Sequence, residues 1–297
     1  MNKVKTNKIL IPVDFSKTSL YAVKYAAFTA KLTKGEVILL HVQRKSDLID
    51  IIMPALKLKN TNAITDFLED KVEKLAAEIK KKYGIKATAI VSTGNIASEI
   101  VDIAKETKSG LIVMGTHGKD STNDLFLGSN AYRVLTKSEI PVMTVQKGAD
   151  KLGFSKIVLP IDMSAHSRQK VDSAIYMADK FAARLHVLGL LHDNEKQDTY
   201  TVEVICSQIK KLAEKKNIVC TTEIKTSENH AKTTLDYCKK IKADLLVVMI
   251  DERGEFSRVV LGTTVQHTIN ESKIPVLCIP PEFNAETADP DSLGGMW

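Results

Sequence analysis

The chain has 297 residues, 44% of them hydrophobic and 26% charged, with 42 Lys and Arg against 36 Asp and Glu. That is enough apolar material for one large domain or two of ordinary size, and no run approaches the ~20 apolar residues that span a bilayer. The net charge of +6 conceals an acidic end, since Glu282, Glu286, Asp289 and Asp291 meet no Lys or Arg after Pro281, leaving +10 on residues 1–280.

These charges exclude little by themselves, but their placement does. Lys71, Lys74 and Lys80 are interleaved with Glu73 and Glu78, which reads as a solvated helix face and not as a nucleic-acid stripe. No signal peptide is legible at the start, so a cytoplasmic location is expected. Cys206, Cys220, Cys238 and Cys278 show no C-x-x-C spacing, which argues against a zinc site or a disulfide framework and for ordinary buried thiols.

Taken in chain order, short apolar runs alternate with amphipathic helical stretches. Strands are expected at residues 9–13, 37–42, 87–91, 111–114 and 142–145, with helices at 19–32, 63–83, 96–106 and 129–136 between them. After a polar linker near Lys147 to Gly153 the plan starts again, with strands at 157–161, 185–190, 219–224, 245–250 and 276–279. Apolar strands separated by helices imply parallel β-α-β units with helices on both faces. Two doubly wound, open, parallel five-stranded sheets follow.

The two halves also share words. Lys8-Ile-Leu-Ile-Pro-Val-Asp14-Phe-Ser16 matches Lys156-Ile-Val-Leu-Pro-Ile-Asp162-Met-Ser164 at an offset of 148 residues. Phe126-Leu-Gly128-Ser129 and Ile140-Pro-Val142 match Val260-Leu-Gly262-Thr263 and Ile274-Pro-Val276 at an offset of 134. The second copy is therefore 14 residues shorter, mostly opposite an insert from Gln43 to Asn62. Domains are expected over 1–148 and 154–281, followed by an acidic tail, 282–297, whose composition favours disorder. The insert's apolar run Ile51 to Leu56 suits a lid, an interface or simple core packing.

In open sheets of this class ligands bind beyond the carboxyl ends of the strands. Four pieces of the first copy should meet there. Pro12-Val13-Asp14 ends the first strand, where Asp14 can accept hydrogen bonds from sugar hydroxyls or, with Ser16, cap the next helix. Val42 ends the second strand, either as a wall for an adenine ring or as a core valine. Met114-Gly115-x-x-Gly118 leaves the fourth strand, and Gly128-Ser129-Asn130 opens the last helix. Glycines let backbone approach an anion, and the first N–H groups of a helix point at it with the positive dipole end. His117 and Lys119 also lie in this loop.

The G-x2-G-x9-G-[S/T] spacing, the Pro-Val-Asp start and the repeated plan resemble the universal stress protein family in a tandem form, over residues 5–280. The resemblance implies an adenine-nucleotide alpha-hydrolase-like fold with strand order 3-2-1-4-5. It implies bound ATP, with Mg²⁺ able to accompany the phosphates. Adenine and ribose contacts then come from Pro12, Val13, Asp14 and Val42, and phosphate contacts from Gly115, Gly118, Gly128, Ser129 and Asn130, with Met114 lining the pocket. It further implies an internal pseudo-dimer that brings residues 142–145 beside 276–279, and a homodimer of whole chains is compatible with it.

The second copy departs from the motif. Ile250 is expected at the place of Gly115 and Arg253 near that of Gly118, in a loop one residue shorter, with Asp251, Glu252 and Glu255 adding negative charge that Arg253 and Arg258 partly offset. One competent nucleotide site and one degenerate one are expected. No paired carboxylates or nucleophile–base spacing mark a catalytic machine. The reading is an ATP-binding stress-response or regulatory protein that signals to a protein partner. The alternatives are a slow ATPase or phosphoryl-transfer enzyme and a nucleotide-independent interaction scaffold.

Overall fold

A computed structural model describes residues 4–44, 62–116, 127–146, 152–192, 198–250 and 261–281. The first half runs β1 (Lys8–Pro12), α1 (Lys17–Thr33), β2 (Glu36–Gln43), α2 (Asn62–Tyr83), β3 (Ala87–Thr93), α3 (Ile96–Glu106), β4 (Leu111–Gly115), α4 (Ser129–Lys137) and β5 (Val142–Val145). The second half runs β6 (Lys156–Ile161), a 3-10 turn (Ala165–Arg168), α5 (Val171–Phe181), β7 (Arg184–Leu191), α6 (Thr199–Glu214), β8 (Cys220–Thr226), α7 (His230–Ile241), β9 (Leu245–Met249), α8 (Thr263–Glu271) and β10 (Val276–Ile279). Every strand expected from the sequence is present, and the bounds shift by a residue or two where strand ends fray into turns.

Each half has the order 3-2-1-4-5, and the two sheets are one. β5 pairs antiparallel with β10, giving a ten-stranded sheet ordered β3-β2-β1-β4-β5-β10-β9-β6-β7-β8. The seam matches Thr144 with Val276, Met143 with Leu277 and Val142 with Cys278, so residues 142–145 and 276–279 meet as expected. Joining the halves this way removes two strand edges that would otherwise be open to other chains.

Alternation along the strands feeds two apolar layers. Ile9, Leu39, Val113 and Leu277 face one layer, Leu10, Leu40, Ile112 and Cys278 the other, and all are fully buried. The first layer crosses the seam: Phe154 packs on Tyr25 (6.1 Å between ring centroids) and on Phe181 (4.6 Å). Thr6, just before β1, shares a 2.7 Å hydrogen bond with the Tyr176 hydroxyl of α5. All four cysteines are buried, and burial pushes the thiols of Cys206 and Cys220 to about 11 and that of Cys238 to about 12, as inert core groups should show. No described helix is long and apolar enough to cross a membrane.

Candidate functional site

The carboxyl edge of the first half is built from the ends of β1, β2 and β4. Past β1, the Val13 N–H donates to the Leu40 carbonyl at 2.8 Å, and the Val13 carbonyl accepts from His41 Nδ1 at 2.7 Å, which fixes the hydrogen on that nitrogen. Asp14 Oδ1 accepts from the Ser16 N–H at 2.9 Å. Ser16 Oγ then accepts from the Ser19 N–H at 3.1 Å and caps α1, so the capping role falls to Ser16 and the Asp14 carboxylate shapes the turn before it. Between them Phe15 takes a left-handed φ of 62°, with the Lys71 ammonium 3.9 Å from its ring centroid.

Gly115 closes β4, and packing supplies a reason for a glycine there besides the one its spacing suggests. A Cβ at Gly115 would lie 2.9 Å from Thr18 Cγ2 and 3.1 Å from the Thr18 carbonyl carbon. The missing side chain therefore makes room for the first turn of α1. Met114, one residue earlier, points to the opposite layer, the one against which Val42 and Leu127 also pack. Thr116 continues the edge: its carbonyl accepts from the Gly128 N–H at 2.9 Å, and its hydroxyl donates to Gln146 Oε1 at 2.7 Å. Gly118, His117 and Lys119 lie outside the described residues.

At the far side of the edge, α4 begins at Ser129 on Gly128, which has no side chain to cap it. Its N-terminus opens on a cavity of about 600 Å³ lined by Arg44, Gly94, Asn95, Ile96, Ser129, Asn130 and Arg133. Among the predicted site residues, Ser129 and Asn130 line this cavity. Pro12, Val13, Asp14, Val42, Met114 and Gly115 form the neighbouring strand ends and not its walls. Arg44, Arg133 and Asn95 were missed by sequence reasoning. A signal existed: Arg133 lies one helical turn past Ser129, and Arg44 follows the second strand directly.

Two further groups belong to this edge. Gln43 ends β2 with its side chain 4% exposed, and neither its Nε2 nor its Oε1 has a hydrogen-bond partner among the described residues. A buried amide left unsatisfied costs ~1–3 kcal/mol, so this one calls for a polar partner beyond the described residues. Asn270, from α8 of the other half, accepts from the Leu127 N–H at 2.7 Å and so anchors the residue just before the α4 start.

A model of the universal stress protein family matches residues 5–146 and again residues 153–280. The chain belongs to this family, in a tandem two-domain form. A universal stress protein of Methanocaldococcus jannaschii is 32% identical over 158 residues, covering 48% of this chain and 97% of that one. One from Mycolicibacterium smegmatis is 23% identical over 293 residues, covering 92% of this chain and 97% of that one. The crystal structure of a universal stress protein from Archaeoglobus fulgidus superposes with a TM-score of 0.74 at 22% identity, covering 95% of this chain and 98% of that one, so both halves share its fold.

Within this tandem chain, sheet pairing corrects the alignment of the second copy. Gly115 pairs with Val145 and Met249 with Ile279, while the N–H groups of Thr116 and Ile250 donate to the carbonyls of Val145 and Ile279. Met249, not Ile250, therefore stands at the place of Gly115. The loops to Gly128 and Gly262 are of equal length, and by count Glu252, not Arg253, falls opposite Gly118. The run Val248-Met249-Ile250 is uniformly apolar and has no landmark of its own, so the register follows only when it is counted back from Gly262 at the 134-residue offset. Residues 251–260 lie outside the described residues, as do 45–61 of the insert and the tail 282–297.

The second copy answers its methionine with a rebuilt helix start. Where α1 begins its first turn, the second half has the 3-10 turn Ala165–Arg168, and α5 starts only at Val171. Lys170, 4% exposed, sits where the first half buries Ala22 and donates to Ser167 Oγ at 3.1 Å. Burial pushes the Asp162 carboxyl up, but the Lys170 ammonium and hydrogen bonds from Ser164 and Ser167 outweigh it and hold it below its ordinary value.

Proposed function

We propose that the first half is an ATP-binding domain, and that its nucleotide state serves a stress-response or regulatory role read by a protein partner in the cytoplasm. The domain is taken as residues 1–148, the second as 154–281. The observation that carries the proposal is the uncapped start of α4, Gly128-Ser129-Asn130, opening on a cavity of about 600 Å³ that also presents Arg44 and Arg133. A helix N-terminus and two guanidiniums converge on one space, which suits an anionic ligand such as a polyphosphate.

The adenine then rests on Val42 and the backbone of Pro12 and Val13. Asp14 takes the ribose hydroxyls, Met114 lines the pocket, and Gly115 and Gly118 carry the phosphate loop. The unpartnered Gln43 amide at the same strand end supports a polar ligand edge nearby. Mg²⁺ arrives with the phosphates it bridges, and needs few protein ligands.

Titration of the full chain with ATP and with AMP tests this. One ATP per chain is expected, bound more tightly than AMP. Arg44→Ala and Arg133→Ala each weaken ATP about tenfold, the loss of one charge-assisted contact, while AMP affinity changes less. Unchanged ATP affinity in both variants, or no ATP uptake, would sink the reading.

A further inference from the structure

The second half contains a cavity of about 520 Å³ at its own carboxyl edge. It stands in the same place as the first. At the offsets of 148 and 134 residues, Arg44 becomes His192, Gly94 becomes Glu228, Ile96 becomes His230, and Arg133 becomes His267. Asn95 becomes Asn229, Ser129 becomes Thr263 and Asn130 becomes Thr264. All seven counterparts line the second cavity, so the duplication gives one space in two chemical versions.

The differences are directional. At these seven positions the first cavity has two guanidiniums and no carboxylate, while the second has one carboxylate and three imidazoles. Guanidinium is charged at every working pH and presents a fixed fork of five donors, which an imidazole ring does not match. The second cavity also has Asp162 and Lys170 in its wall, but each balances the other. Its electrostatic pull on a polyphosphate is therefore weak, and Glu228 opposes it.

What the second cavity keeps is the other end of the site. Pro160, Asp162 and Leu190 stand at the positions of Pro12, Asp14 and Val42, and they line the cavity together with Val248 and Met249. His192 and His230 stack face to face, with ring centroids 4.1 Å apart and planes 17° from parallel. This aromatic pair, next to an apolar wall and two carboxylates that accept from hydroxyls, suits a flat heterocycle bearing a sugar.

We propose that the second half is a separate site for an adenine nucleoside bearing at most one phosphate. The choice of base rests on the nucleotide reading of the first half, while the preference for low charge rests on the second cavity alone. The two halves then hold differently phosphorylated forms of one ligand class.

Calorimetric titration of the full chain, first saturated with ATP and then given adenosine, tests the proposal. One adenosine per chain is expected on top of one ATP. Glu228→Ala and His192→Ala, both at surface-accessible positions, each weaken adenosine at least tenfold and leave the ATP step unchanged. A triple change, His192→Arg, Glu228→Gly and His267→Arg, rebuilds the first cavity's walls and raises the ATP stoichiometry to two. Failure of adenosine to bind the ATP-loaded chain, adenosine affinity unmoved by both single variants, or two equal ATP sites in the unmodified chain would overturn it. Separate titrations of the unmodified chain and of Glu228→Ala distinguish the two readings: if ATP binds nowhere yet adenosine binds with the expected Glu228 dependence, the first-half reading fails and this one stands.

Discussion

The two halves of this chain build the same frame with nearly the same devices. Asn95 and Asn229 cap α3 and α7 through the N–H groups of Ser98 and Lys232, and Ser138 and Ser272 each bridge forward to the carbonyls of Ile140 and Ile274 at 2.7 Å. α1 and α5 both end on a left-handed residue, Lys34 and Ala182. A cluster of differences lies at the carboxyl edge, where glycine faces methionine, alanine faces lysine and arginines face histidines. Positions that specify the backbone repeat, and positions that line the two cavities diverge, as expected when function is grafted on a common fold.

The largest test of this comparison asks whether the halves are one body at all. Met143 and Leu277 face each other across the seam, both fully buried. Leu277→Ala should lose about 3 kcal/mol, the usual range for a buried leucine that leaves a cavity behind. Because the apolar layer crosses the seam, unmodified protein should melt in a single calorimetric transition, with the variant shifted as a whole. Two separable transitions in the unmodified chain would show that the halves are stabilised independently.

A smaller effect separates the two edges. Gly115→Val places methyl groups into the backbone of Thr18 and should cost about 2 kcal/mol through the overpacked α1 turn. Met249→Val puts the same residue at the same register of the second half, where the side chain already has space, and should cost under about 1.5 kcal/mol. Thermal melts compare the two, and hydrogen exchange in α1 should rise in the first variant only. Equal losses would mean that the helix start is not set by this position. Loss of ATP binding in Gly115→Val is therefore not proof of a phosphate contact, since the turn holding Asp14 and Ser16 moves with it.

Most of the frame was legible in the sequence, because apolar runs, caps and an internal repeat all encode local rules. Strand order and the pairing of residues 142–145 with 276–279 came from the family resemblance, and the sheet agrees. What could not be read was long-range. That Gly115 faces Thr18 and that Arg44 and Arg133 share a cavity depend on packing between segments about 90 residues apart. Spacing within one motif contains no such information. The one-residue error at Ile250 has another source, a loop taken as one residue shorter, which the 134-residue offset to Gly262 and the pairing of Met249 with Ile279 both correct.

The last comparison sets a half-buried imidazole against an apolar core residue. His186 of β7 stands at the place of Ile38 in β2. Its Nδ1 lies 2.9 Å from the Thr221 hydroxyl, but its buried Nε2 has no partner among the described residues. Burial, followed by the nearby charges of Lys156 and Arg184, pushes its imidazole below the ordinary range, with Glu223 opposing weakly. The unfolded chain therefore takes up a proton at a higher pH than the folded one. Stability from this residue is complete above the ordinary histidine value of ~6.5 and is lost as pH falls through the lower folded value. His186→Ile copies the first half's residue. It should gain up to about 1 kcal/mol at pH 7, where an unsatisfied buried nitrogen disappears, and more at pH 5, where the proton uptake disappears with it. Urea midpoints at the two pH values measure the difference. A gain that is the same at both would leave the orphaned nitrogen as the whole effect and remove the proton from the account.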